Sequence, residues 1–146
     1  MISTTAVLIS GVSAFLTWRW RTSERRKANV VAYFHRNSEY ARVTTSSGEE
    51  ALAGYNLVVW NKGPAEATDV ALKIVLPDGE SATLVSTDEG EFPIERLPAD
   101  ARYPIPWLLD NRAHQRARRV FCDVKWHDES GTHLRTYPVR RGQTTL

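Results

Sequence analysis

Two hydrophobic patterns divide the chain near residue 28. Residues 1–18 carry no charged side chain and mix Ala, Val, Leu, Ile and Phe with several Ser and Thr residues. As a helix this run is about 27 Å long, slightly less than the ~30 Å hydrocarbon core of a bilayer. From residue 28 onward, hydrophobic and polar residues alternate with a period of two, which is typical of half-buried strands. The patterns therefore predict one N-terminal helix followed by a β domain.

The alternation is clearest in residues 70–76 and 120–126, whose even-numbered residues are all apolar and are predicted to face inward. Residues 28–36, with a short continuation at 40–45, and 54–61 are rich in β-branched and aromatic residues. Weaker strands are predicted at 82–86 and 102–107, and a tight turn at 127–131 leads into a last strand at 132–140. About seven regularly spaced strands favour an antiparallel immunoglobulin-like β-sandwich, with a small barrel as the alternative.

These elements predict four regions. Residues 1–20 form a membrane-anchoring helix, 21–28 a basic juxtamembrane linker, 29–141 the sandwich and 142–146 a tail. Trp60 and Trp126 are expected in the core, with Cys122 beside them as a buried, unreactive thiol. Pro104 and Pro106 are confined to a sheet edge or a bulge, because proline cannot donate to a β-ladder.

Charge is concentrated at the end of the predicted helix. Five of the 19 basic residues and only one of the 17 acidic residues lie between positions 19 and 27. Tryptophan and arginine alternate at the start of this segment, a pattern that suits the headgroup boundary of a membrane. The predicted membrane-interface residues are Trp18, Arg19, Trp20, Arg21, Arg25, Arg26 and Lys27.

The position of this basic cluster predicts a topology. A cleaved signal peptide requires basic residues before its apolar run, and no basic residue precedes this run. An uncleaved single-pass anchor is therefore expected. Positive charge after the run places the β domain in the cytoplasm, and a single cysteine agrees with a reducing compartment. A cell-surface or virion location is the alternative, and the helix could instead pack on a partner protein.

Residues 56–79 resemble the CARDB and DUF11-like group of bacterial immunoglobulin-like modules. The matching positions are Asn61, Gly63, Ala67, Val70, Leu72, Leu76, Pro77 and Gly79. The turn at 97–100 is similar to the family's Leu-Pro-Gly turn, with Asp100 where glycine is usual. The closing hairpin, with Trp126, Asp128 and Gly131, looks like the last strand pair of small anchored proteins of actinobacterial type. The resemblance implies adhesion, scaffolding or ligand presentation, and it implies no catalytic site.

The sequence contains no G-x-S-x-G, H-E-x-x-H or C-x-x-C motif and no phosphate-binding glycine loop, which leaves only a site assembled from scattered loops as a catalytic alternative. His127, His133 and Asp128 could form a metal site across the last hairpin, but exposed histidines on a hairpin are more often solvated. No catalytic residue, cofactor, metal or small-molecule substrate is therefore predicted, and the protein is not expected to be an enzyme.

A second basic segment is the remaining candidate for binding. It contains Arg112, Arg116, Arg118 and Arg119, which could contact an anionic partner or form a solvated, ion-paired loop. Stackable aromatic residues do not interleave with it, so nucleic acid is not expected as a partner. The acidic segment 87–95 leaves head-to-tail self-association open. The hypothesis is a membrane-anchored interaction module with an unidentified protein partner; the alternative is a structural subunit of a larger, phage-like assembly.

Overall fold

The computed structural model describes residues 4–24, 26–44, 48–82, 92–108 and 119–140. Helix α1 spans Thr4–Glu24 and precedes eight strands in these ranges. The strands are β1 (Val30–Thr44), β2 (Glu50–Asn61), β3 (Ala67–Val75), β4 (Ser81–Ala82), β5 (Ile94–Leu97), β6 (Arg102–Pro106), β7 (Arg119–Asp128) and β8 (Gly131–Arg140). The predicted mainly β fold, an antiparallel sandwich behind one N-terminal helix, is confirmed.

The strands form two antiparallel sheets. The first has the order β1-β2-β6 and the second the order β4-β3-β7-β8, with β5 also pairing with β3. Strand β1 joins two segments that the sequence pattern separated, and its pairing with β2 shifts register between Arg36 and Ala41. Strand β3 bulges between Thr68 and Ala71, where Asp69 has a φ of 49°. Aspartate tolerates this left-handed conformation better than most residues, which suits it to a bulge.

The core lies between the sheets and follows the predicted alternation. Val120, Cys122, Val124 and Trp126 are all buried along β7, as the sequence pattern predicts. From the first sheet, Phe34 packs edge-on against Trp107 with ring centres 4.6 Å apart. Each fully buried aliphatic or aromatic side chain stabilises the fold by about 1.5–3 kcal/mol relative to an exposed one.

The prediction that Trp60 lies in the core is wrong. Trp60 is only partly buried on the outer face of β2, and Trp107, immediately after β6, is the tryptophan that fills the core with 1% exposure. Residues 54–61 are apolar on both faces, so the sequence pattern could not indicate which face meets the other sheet. The register places Val59, rather than its neighbour Trp60, on the inward side.

The strand count also differs from the prediction. Ile94–Leu97 forms β5, where the sequence analysis placed the end of an acidic loop and the start of a turn. Its buried Leu97 pairs with Ala67 at the start of β3, and this tertiary contact outweighs the weak local strand pattern. The described part of strand β4 is Ser81–Ala82, and the rest of the predicted strand at 82–86 lies outside the described residues.

Candidate functional site

The C-terminal half of α1 exposes its apolar side chains. Phe15, Leu16, Trp18 and Trp20 are 56%, 57%, 62% and 67% exposed. Successive residues turn by about 100° around a helix, so these side chains point to several sides and do not form one stripe. The described residues of the sandwich therefore leave more than half of each of these four side chains exposed.

Two hydroxyl groups of α1, those of Thr17 and Thr22, are bonded within the helix. The Thr17 hydroxyl donates to the Ser13 carbonyl at 2.8 Å, and the Thr22 hydroxyl lies 3.0 Å from the Trp18 carbonyl oxygen. This back-bonding reduces the cost of removing a hydroxyl from water. Among the described residues, no helix combines the length and the apolar content that crossing a membrane requires.

The predicted membrane-interface residues lie on or just after this helix. Arg19 and Arg21 are exposed on α1, which continues through Trp20 to Glu24 and so includes part of the predicted linker. Arg26 forms an exposed ion pair with Glu129 at 3.5 Å. Arg25 lies outside the described residues.

The segment between α1 and β1 is bound tightly to the sandwich. Lys27 closes the end of the helix, with its ammonium group 2.6 Å from the Glu24 carboxylate. The next amide, of Ala28, donates to the Asp128 carboxylate at 2.8 Å. Arg135 then donates to the side chain of Asn29 at 3.0 Å. The helix is therefore joined to the sandwich through specific bonds at the β7–β8 hairpin.

Asp128 organises that hairpin. One carboxylate oxygen accepts from Ala28, and the other accepts from the Ser130 amide and hydroxyl and lies 3.0 Å from His133 Nε2. Burial alone raises the pKa of Asp128, but the hydrogen bonds from Ser130, His133 and Ala28 outweigh it and lower the pKa to about 2. Asp128 is therefore a structural carboxylate at neutral pH.

The same hairpin does not have the geometry of a nucleophilic triad or a metal centre. Ser130 and Asp128 both approach the same nitrogen of His133, so the histidine cannot relay a proton between them. His127 bonds Thr132 instead, and the His133 ring stacks on Trp126. Within the described ranges, no group of three or more His, Cys, Asp or Glu side chains is placed to hold a metal ion.

Cys122 lies where the sequence predicts it. Its side chain is fully buried in the core. Burial, with a smaller contribution from Asp123, raises the pKa of the thiol to about 12. The thiolate that a nucleophile requires is therefore scarce at neutral pH.

Asn61 joins three parts of the fold, and the sequence analysis identified it only as part of a turn motif. It is the buried polar residue of the described core. Its Oδ1 accepts from the amides of Asn29 and Gly63, at 3.1 and 3.0 Å. Its Nδ2 donates to the carbonyls of Ala65, Leu97 and Pro98, at 2.7, 3.0 and 3.2 Å.

Gly63 shows how closely the chain segments approach each other beside Asn61. A Cβ at this position would lie 2.7 Å from the carbonyl carbon of Ala28 and closer still to the backbone nitrogen of Asn29. Only glycine allows this approach without moving the backbone. The Asn-x-Gly motif therefore fastens the start of β1 to the end of β2.

The outer face of the first sheet carries an aromatic and cationic surface around Trp60. Lys62 Nζ and the Arg102 guanidinium carbon lie 4.7 and 4.2 Å from the centre of the Trp60 ring. Tyr33 meets the same ring edge-on at 6.2 Å, and the indole nitrogen donates to Asp100 at 3.0 Å. Cation–π contacts of this kind hold both cations near the face of the sheet.

The second basic segment is described only in part. Arg119 is exposed at the start of β7, with its guanidinium carbon 5.2 Å from the centre of the Phe121 ring. It lies opposite Arg140 in the β7–β8 register. Arg112, Arg116 and Arg118 lie outside the described residues, as do the tail at 142–146 and most of the acidic segment 87–95.

No protein-family model, curated protein or solved structure matches the chain.

Proposed function

We propose that the protein is a noncatalytic protein-interaction module that residues 1–27 hold at a membrane, with the sandwich facing the cytoplasm. The observation that carries the proposal is the exposed apolar surface of α1, led by Phe15, Leu16, Trp18 and Trp20. Helix α1 has 21 residues, and its uncharged part, residues 4–18, is about 22 Å long, so it reaches through most of the ~30 Å hydrocarbon core of a bilayer. Arg19 and Arg21 at its end suit the headgroup layer on the cytoplasmic side.

The junction supports the same proposal. Ala28 and Asn29 are bonded to the β7–β8 hairpin, so the sandwich follows the helix without a free spacer. An anchor joined in this way presents the sandwich close to the membrane surface. The interaction role rests on the two sheets of the sandwich, whose edge strands are a common site of partner binding.

Membrane retention tests the anchor. The double variant Phe15→Asp, Leu16→Asp places two carboxylates in the proposed apolar segment, where each opposes insertion by up to about 3 kcal/mol, the cost at the centre of a bilayer. We expect this variant to move to the soluble fraction of broken cells. The matched control is Leu52→Asp, Leu134→Asp, which changes two leucines that are similarly exposed on the sandwich, and it should stay with the membrane. Equal retention of both variants would exclude the anchor.

Thiol labelling tests the orientation. Ser81 is exposed on β4, so Ser81→Cys adds one accessible thiol while the buried Cys122 stays unreactive. With a membrane-impermeant reagent, we expect labelling only after the cells are broken. Labelling in intact cells would place the sandwich outside and would contradict the cytoplasmic orientation.

A second candidate function is a structural subunit of a larger assembly, with α1 docked among neighbouring proteins. The exposed Phe15, Leu16, Trp18 and Trp20 support it as well, because the apolar surface of neighbouring proteins would also cover them. Extraction separates the two functions. A helix embedded in lipid should need detergent for release, whereas one docked on protein should be released by high salt or mild denaturant.

A further inference from the structure

The end of the sandwich that follows α1 carries aromatic and cationic side chains on its outer face. Trp60 pairs with the second residue of β1 on one side and with Arg102 of β6 on the other. Two residues later, the Lys62 amide donates to the Asn29 carbonyl at 2.8 Å. The Trp60 surface consists of Tyr33, Trp60, Lys62 and Arg102. It therefore lies beside the junction between the helix and the sandwich.

The charged members of the Trp60 surface reach solvent. Lys62 and Arg102 are exposed, while Tyr33 and Trp60 are half-buried. Both cations lie over the Trp60 ring, so their positive charge is concentrated around one aromatic side chain. Asp100, which accepts from the indole nitrogen, offsets one of these two charges. The surface therefore combines an aromatic body with a net positive charge.

The β7–β8 hairpin fixes the position of this end of the sandwich along α1. A cleft of about 280 Å³ lies between the helix and the hairpin and is lined by Arg19, Thr22, Arg26, Glu129 and Ser130. The same hairpin holds the start of the sandwich, since Asp128 accepts from the Ala28 amide at 2.8 Å. Arg19 directly follows the uncharged run 1–18, so this end of the sandwich is level with the proposed headgroup layer.

Tryptophan and basic side chains together suit a headgroup layer. An indole ring is favoured at the boundary between water and lipid chains, and lysine and arginine attract anionic headgroups. An acidic protein segment could match the same charge. The lipid surface has the advantage, because the anchor already holds it beside the Trp60 surface at a high effective concentration.

We propose that the Trp60 surface docks on anionic headgroups of the membrane that holds α1. Lys62 and Arg102 lie near the lipid phosphates, and the exposed part of Trp60 lies among the headgroups. This contact fixes the orientation of the sandwich, with the outer face of the first sheet towards the lipid and that of the second sheet away from it. The inference rests on the proposed membrane anchor and names the lipid chemistry that the sandwich itself recognises.

The test uses the full chain in lipid nanodiscs made of phosphatidylcholine alone or with about one third phosphatidylglycerol, which supplies anionic headgroups. A trace of lipid carries a gadolinium chelate on its headgroup, and NMR measures the broadening of each indole N–H signal. The Trp60 signal is assigned with the variant Trp60→Phe, and the Trp18 signal reports the position of the helix. We expect strong broadening of the Trp60 signal in the anionic discs and weak broadening in the neutral ones.

Two matched variants test the role of the cations. Lys62→Gln, Arg102→Gln should reduce the broadening of the Trp60 signal at least about twofold, because each cation near an anionic surface changes the docking equilibrium about fivefold. The control Lys73→Gln, Lys125→Gln removes the same charge from two exposed positions on the outer face of the second sheet. It should leave the broadening unchanged.

Weak broadening of the Trp60 signal in anionic discs, while the Trp18 signal is strongly broadened, would overturn the docking and leave the anchor intact. If neither signal is broadened, the discs do not hold the chain, and the anchor and the docking both fail. Equal broadening in neutral discs, or an equal loss in the two charge variants, would overturn the recognition of anionic lipid by this surface. A Trp60 signal that responds to an added acidic peptide, but not to anionic lipid, would assign the surface to a protein partner instead.

Discussion

Replacing Asn61 with alanine is expected to lower the free energy of unfolding by about 4 kcal/mol. The side chain is fully buried and makes five hydrogen bonds to the backbone. Its bonds to the Gly63 amide and the Leu97 carbonyl are buried, whereas water can reach its other partners more easily. Each buried backbone group left without a partner costs about 1–3 kcal/mol, so two such groups account for most of the loss.

Equilibrium unfolding in urea, followed by tryptophan fluorescence in mild detergent, measures this loss. The matched control is Asn29→Ala. The side chain of Asn29 makes one exposed bond to Arg135, so its removal should cost less than about 1 kcal/mol. A single domain has a total stability of about 5–15 kcal/mol, so the Asn61 variant should unfold at a clearly lower urea concentration. A loss no larger than that of the Asn29 variant would refute the role of Asn61 as the joint between β1, β2 and the end of β5.

Three further predictions concern the core and the hairpin. In the folded protein the pKa of Asp128 is lowered from its ordinary value of 3.8 to about 2. The stability that this carboxylate contributes is therefore present above a pH of 3.8 and is lost as the pH falls towards about 2. Asp128→Asn should therefore flatten the acid side of the stability curve measured by thermal melting between pH 5 and pH 2, and an unchanged acid limb would contradict the assignment. Cys122 should not react with a thiol reagent at pH 8 until the protein is denatured, because burial raises the pKa of its thiol to about 12; rapid reaction of the folded protein would show that it is accessible. Trp107→Ala should lower the free energy of unfolding in urea by about 3–5 kcal/mol, and Trp60→Ala should lower it clearly less, because Trp107 is the buried tryptophan of the two. A larger loss for Trp60→Ala would contradict the assignment of Trp107 to the core.

Most of the second sheet could be predicted from the sequence. In 120–126 one face is apolar and the other contains Asp123 and Lys125, so the alternation has a single interpretation. The turn after it needs a left-handed residue, and Gly131, with a φ of 130°, supplies it. The prediction that Cys122 is buried follows from the same alternation.

The first sheet was less predictable, because its central strand is apolar on both faces. Only the register with β6, which sets Val59 opposite Tyr103, decided that Trp60 faces outward beside Lys62 and Arg102. Strand β5 has a weak local pattern and exists through its pairing with β3. The order β1-β2-β6 depends on contacts between distant segments, which the local sequence pattern does not specify.

The sequence by itself determined the class of the fold, the position of the helix and the inward face of each clearly alternating strand. These features depend on local periodicity and on turn residues, which act over a few neighbouring positions. The tertiary structure alone decided which tryptophan fills the core, what Asn61 joins and how the strands are ordered in the two sheets. Those features arise from contacts between residues far apart in the chain, such as Asn61 with Leu97 and Ala28 with Asp128, and local periodicity does not specify such pairs.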